Sequence, residues 1–294
     1  SDEMAGDLTA QRRDFHKYAE PGWFEMRTSS IIARKLTELG YEVLVGDQVC
    51  KKDSRMGVPS EEKLEEQYER AVAQGADPEF VKYTKGGMTG VIGILRCGEG
   101  PTVAMRFDID ALGVFEEHDP SHRPAKEGFN SVNEGFMHAC GHDLHATVLL
   151  GAARLLKQHE SELKGQVKLL FQPGEETFQG ARTAVEEGVL DHPKVDSAFA
   201  MHVAAQMSPE YVAYGSLPMA GVYGFRITLT GQGGHGSRPE KCIDPINTGV
   251  HVYLALQELI ARECPAISET ALTIGQFCAG SASNVIPETA VLQG

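Results

Sequence analysis

The chain has 294 residues, 41% of them hydrophobic and 23% charged, a balance typical of a soluble protein with one large domain or two ordinary ones. A formal net charge of −14 argues against broad binding to nucleic acid or anionic membranes. It leaves an anionic substrate open, because a bound dication inverts the local field. No apolar run reaches the roughly 18–20 residues of a membrane helix, and no signal peptide is evident. Six scattered cysteines (Cys50, Cys97, Cys140, Cys242, Cys264, Cys278) with no C-x-x-C pair read as reduced thiols of a cytoplasmic protein.

In chain order, residues 8–39 carry a helical pattern broken at Pro21-Gly22 and ended by Gly40. A strand follows at 41–45, and the polar stretch 47–87 contains a charged helix at 61–74. Strands are expected at 89–96 and 102–107, a helix with one buried face at 146–157, a buried strand at 167–171, a helix at 181–187 and a strand at 197–202. This alternation predicts an α/β fold with a mainly parallel sheet over residues 1–217. From 218 the character changes. An alternating strand at 223–230 precedes a helix capped by Asp244 with Pro245 in its first turn, running to about 264. Strands at 271–277 and 289–292 complete a β-α-β-β order, an incomplete α+β (split β-α-β) domain over 218–294.

The segment MHACGHDLHA holds Cys140, His142, Asp143 and His145. Alone it reads about evenly as a metal site or as a polar loop before a helix that starts at Ala146 with Asp143 as its cap, since Cys-His pairs close in sequence rarely form catalytic dyads. Other polar groups change the balance, because they also follow apolar strands. Asp108 and Asp110 come after Phe107, Glu175 and Glu176 after Phe171, and His202 after Met201. In open α/β sheets the carboxyl ends of strands are where sites gather, so a shared metal site is expected. In the second domain the glycines of GGHGSRP free the backbone around His235, and SASNVIP carries Asn284. The bland alternatives are a surface turn and a turn-capping asparagine.

The series RFDIDAL, MHACGHDLH, FQPGEE, AMH, GGHGSRP and SASNVIPE resembles the aminoacylase/carboxypeptidase metallopeptidase superfamily. More narrowly it resembles the branch of amidohydrolases acting on N-acyl amino acids. DSRMG, GGMTG and SHRP resemble the members of that branch that act on p-aminobenzoyl-glutamate. The resemblance implies a zinc-peptidase-like catalytic domain with a lid or dimerisation domain. Cys140, His142, Glu176 and His202 would be ligands of two divalent ions, zinc or manganese, with cobalt or nickel also possible. Glu175 would be the general base, Asp110 would orient a ligand, His235 would polarise the substrate carbonyl and Asn284 would bind the substrate carboxylate. A homodimer through the lid domain is implied, with a second related subunit as the other possible partner.

Family members continue for about a hundred residues more and supply a last histidine ligand, so the resemblance implies a truncated chain with weak or absent activity. A non-catalytic metal-binding or dimerisation fragment is the alternative. A hydrolase with Cys140 as nucleophile and His142 or His145 as base is a third.

Overall fold

The computed structural model describes residues 2–177, 180–205, 207–208, 210–214, 221–268 and 270–294. The chain divides into two units, Ser1–Gln206 and Met207–Gly294. The boundary expected at 217/218 falls outside the described residues.

The first unit begins with α1 (Ala5–Lys17) and α2 (Met26–Glu38), followed by β1 (Glu42–Val45). Next come α3 (Glu61–Ala73), capped by the Ser60 side chain, then β2 (Val91–Arg96) and β3 (Thr102–Asp108). After the short α4 (Arg123–Glu127) come α5 (His142–Gln158), β4 (Gln166–Gln172), α6 (Gly180–Glu186) and β5 (Ser197–Ala200). The strands form one sheet in the order β1-β2-β4-β3-β5. β2 is antiparallel to both neighbours, while β4-β3 and β3-β5 are parallel. Four of the five strands therefore point the same way, a mainly parallel sheet. β3, β4 and β5 consequently bring their carboxyl ends to one edge. The central strand β4 is mostly apolar apart from Lys168 and its terminal glutamines because both its faces are covered, and Leu169 and Phe171 are fully buried. Ile32, Leu36, Phe107 and Leu149 complete this core, each contributing about 1.5–3 kcal/mol by leaving water.

Several boundaries differ from expectation, β2 among them, which begins at Val91 and not at Thr89. α5 starts at His142, four residues before Ala146, and its N-cap is Gly141, not Asp143. Gly141 adopts φ +87°, and a Cβ there would sit 2.6 Å from Val203 Cγ2, so only glycine turns the chain into the helix at this point. β5 stops at Ala200, which places His202 on the segment after the strand.

The second unit contains β6 (Arg226–Thr230), β7 (Gly234–His235), α7 (Pro245–Arg262), β8 (Gln276–Ala279), β9 (Val285–Ile286) and β10 (Thr289–Gln293). Here two further differences appear, and the first is that β6 begins at Arg226 and not at Tyr223. β8 begins at Gln276, where its ladder with β10 starts opposite Gln293, so residues 271–275 lie outside it. β10 lies between β6 and β8, antiparallel to both. β6 and β8 therefore run parallel on either side of it, joined through α7, which is a split β-α-β arrangement. Asp244 caps α7 by accepting the Ile246 and Asn247 amides.

Candidate metal centre

On α5, His142, His145, Leu149 and Ala153 recur at three- and four-residue steps and are all buried. The two histidines thus occupy the core-facing stripe of the helix, where a polar ring needs a partner. His145 has two. Its Nδ1 bonds the Asp108 carboxylate at the end of β3, and its Nε2 accepts the Val203 amide at 2.9 Å. Asp108, His142 and His145 do offer ligand atoms within 4.8 Å of one another, yet these bonds leave His145 no free lone pair.

His142 differs. Its Nδ1 lies 3.2 Å from Asp110 Oδ1, while Asp110 Oδ2 accepts the Glu176 amide at 2.9 Å. One carboxylate therefore orients the ring and anchors the backbone of the neighbouring glutamate. His142 Nε2 is buried with no hydrogen-bond partner among the described residues, and so is Glu176 Oε1, 3.8 Å away. Across the cluster, Cys140 Sγ lies 3.3 Å from His202 Nε2. His202 Nδ1–H donates to the Val203 carbonyl at 2.6 Å, so the Nε2 lone pair faces the sulfur. Cys140, His142 and His202 form one group with ligand atoms within 4.8 Å of one another, and His142, Glu175 and Glu176 form a second.

The electrostatics ask for a cation. Burial, then the charges of Glu176, Glu175 and Asp108, push the Cys140 thiol up to about 12. Burial opposes charging His142, but Asp110, Asp108 and Glu176 outweigh it and raise the ring to about 9. Glu176 is raised by burial despite His142, whereas Asp108 is lowered because His145, His142 and Arg106 outweigh its burial. Two orphaned buried ligand atoms inside a set of sulfur, imidazole and carboxylate donors fit divalent metal ions. The same environment is wrong for a nucleophilic cysteine, which needs a lowered thiol value.

The turn carrying Glu175 and Glu176 is pinned from several sides. Gly174 N–H donates to Glu25 Oε1 at 2.7 Å, and the Thr177 hydroxyl donates to the Gly174 carbonyl at 2.8 Å. Burial and then the charge of Asp110 push Glu25 up to about 8. Gly180 opens α6 directly against this turn, where a Cβ would run into the Pro173 carbonyl oxygen.

Cys140, His142, Glu175, Glu176, His202 and Asp110 thus meet in the first unit. His235 and Asn284 lie in the second, brought together where the Gly236 amide donates to the Asn284 carbonyl at 2.9 Å. His235 is exposed, and its Nδ1 accepts the Ser237 amide at 3.2 Å. In the neutral ring that leaves the proton on Nε2. The sequence pattern marks Asp108 only by its place at a strand end and does not distinguish His16 or Glu25. All three are buried polar groups whose partners are 37, 127 and 149 residues away, respectively.

The chain matches the peptidase family M20/M25/M40 over residues 104–277, and it belongs to that family. It is 41% identical over 292 residues to a p-aminobenzoyl-glutamate hydrolase subunit of Escherichia coli (strain K12). It is 39% identical over 293 residues to indole-3-acetyl-aspartic acid hydrolase of Enterobacter agglomerans. Each match covers 99% of this chain and 66% of the relative, so the chain spans just under two thirds of their length. Among solved structures, an aminobenzoyl-glutamate utilization protein from Klebsiella pneumoniae superposes with a TM-score of 0.64 at 32% identity, over 99% of this chain and 66% of that one. A dinuclear metal-binding peptidase of the M20 family from Bacillus subtilis gives 0.64 at 28% identity, over 100% and 64%. Among the described residues no helix is long and apolar enough to cross a membrane.

Proposed function

We propose that the protein is a metal-dependent amidohydrolase that cleaves the amide between an acyl or aroyl group and an amino acid, with p-aminobenzoyl-glutamate as its leading substrate. The observation that carries this reading is the pair His142 Nε2 and Glu176 Oε1, both buried, both without a hydrogen-bond partner among the described residues and 3.8 Å apart, with Asp108 Oδ1 3.5 Å from the same Nε2. The names of the relatives support the substrate class.

Cys140, His142, Glu176 and His202 would hold two divalent ions, zinc first because thiolate and imidazole suit it, with manganese, cobalt or nickel as alternatives. When bound, such ions bring the pKa of a water towards neutrality and polarise the scissile carbonyl. Glu175, adjacent to a ligand but not itself counted as one, takes the proton of the attacking water and returns it to the leaving amine nitrogen. His235 donates from Nε2 to the developing oxyanion, and Asn284 binds the substrate carboxylate. Asp110 holds His142 in register. We further propose a homodimer through the second unit and a cytoplasmic location. Pairing with a different but related chain is the alternative assembly, because the Escherichia coli relative is named as one subunit of its hydrolase.

The test is hydrolysis of a panel of N-acyl and N-aroyl amino acids with added zinc or manganese, compared between parent and Glu175→Ala. The expected result is a loss of about 10²–10⁴-fold on substitution, with metal still bound. Unchanged turnover in Glu175→Ala would remove the assigned base. Activity blocked by thiol alkylation but indifferent to chelators would replace this reading with a Cys140 nucleophile.

A further inference from the structure

The backbone amides of the residues on either side of Glu175 in sequence, Gly174 and Glu176, are each held by a buried carboxyl group. Glu176 N–H donates to Asp110 Oδ2, and Gly174 N–H donates to Glu25 Oε1 at 2.7 Å. The second carboxyl oxygen of Glu25 accepts the Thr89 hydroxyl at 2.6 Å. One fully buried side chain at the start of α2 therefore joins Thr89, just before β2, to Gly174, just after β4. No Lys, Arg or His pairs with Glu25 among the described residues, so an acid is kept in the core without a counter-charge. Burying such a group is costly, and its oxygens are spent on the backbone of the turn.

The rest of Gly174 is fixed as well. Its carbonyl accepts the Thr177 hydroxyl at 2.8 Å and the Gly180 amide at 3.1 Å. Its α-carbon faces the edge of the Trp23 indole, since a Cβ built there would meet Trp23 Cζ2 at 3.3 Å. With the peptides before and after Glu175 both anchored, the directions in which Glu175 and Glu176 leave the backbone are set by groups below the turn. Neither of those two carboxylates is consumed in holding it. This is how a site gains precise geometry while its reacting groups stay free.

We propose that Glu25 is a positioning residue, whose carboxyl group fixes the Gly174 amide and thereby aims Glu175 and Glu176 at the metal cluster. The proposal rests on the reading of Glu176 as a ligand and Glu175 as the base.

The test uses the 294-residue chain with Glu25→Ala, Glu25→Gln and Thr89→Val. Two quantities are read: hydrogen exchange of the amides in residues 172–177, and cobalt affinity from the thiolate-to-cobalt absorption. Glu25→Ala is expected to speed exchange and to weaken cobalt binding, each by about tenfold or more. Glu25→Gln keeps an oxygen for Gly174 and an N–H for Thr89, so both readouts should stay within about threefold of the parent. Should Glu25→Ala fail to fold, Thr89→Val decides, with about a threefold change in the same direction expected. A merely structural role would lower the urea midpoint and leave cobalt affinity of the folded chain at the parent value. Parent exchange and affinity in Glu25→Ala, a Glu25→Gln variant as impaired as the alanine, or no change in Thr89→Val where that variant decides, would overturn the proposal. Cys140→Ser run in parallel isolates the underlying reading. If the parent shows no thiolate band, the metal reading fails, and exchange in 172–177 still decides the role of Glu25.

Discussion

Asp110 Oδ1 lies 3.2 Å from His142 Nδ1, and this contact turns the ring so that its Nε2 comes within 3.8 Å of Glu176 Oε1. Because the other Asp110 oxygen holds the Glu176 amide, a single side chain sets both members of the pair. Asp110→Ala should therefore weaken zinc or cobalt binding by about 10–100-fold, the usual loss when the partner of a ligand is removed. Isothermal titration measures it, and parent affinity in the variant would mean that Asp110 does not orient the site.

Metal binding should strengthen steeply with pH. His142, raised to about 9, and Cys140, raised to about 12, must both shed protons to become ligands. Below about pH 9 two protons leave on binding, and above it one, so the logarithm of the affinity should climb by about two per pH unit and then by about one. Cobalt titrations across that range check the slopes. A flat profile would remove either the thiolate or His142 from the ligand set.

Gly180→Ala should disturb the site through packing alone. Its new Cβ would press on the Pro173 carbonyl, a backbone atom with no freedom to swing aside. A cost of about 1–3 kcal/mol in urea unfolding is expected, together with weaker metal binding, because the Glu175-Glu176 turn must shift. A variant as stable as the parent would show that α6 can move away from the turn.

His16 ties α1 to the segment that starts the metal helix. Its Nδ1 lies 2.9 Å from Asp143 Oδ2 and its Nε2 3.0 Å from Glu116 Oε1. Burial opposes its charge, yet the two carboxylates raise it above 6.5. A raised histidine contributes its stability in full below its unfolded value and loses it as pH climbs through the folded one. His16→Asn should then cost about 2–4 kcal/mol near pH 6 and clearly less in alkaline buffer, measured by urea unfolding in chelator. Asp143 and Glu116 are lowered, so their share is lost only on acidification through those lowered values. Equal costs at both pH values would mean that His16 is neutral in the folded chain.

Much of the sheet was legible because β2, β3 and β4 are short apolar runs between turn signals, and the Asp244-Pro245 start of α7 announces itself by cap chemistry. Strand ends pointed to the cluster because Asp110, Glu175, Glu176 and His202 all follow apolar segments. The start of α5 was harder to see. Its first turn is polar, and only the placement of His142 and His145 on the buried stripe shows that the helix already includes them. Glu25 and His16 were beyond local pattern altogether, since each is explained by partners over a hundred residues away. β7 and β9 were missed because two-residue strands carry no periodicity.

Whether Cys140 ligates an ion in this cluster is read most directly by X-ray absorption at the zinc edge, on the zinc-loaded chain and on Cys140→Ser. A zinc shell of mixed nitrogen and oxygen donors with one sulfur is expected, with loss of that sulfur in the variant. A zinc shell with no sulfur in the parent, or the same sulfur signal in Cys140→Ser, would contradict a metal centre built on this thiolate.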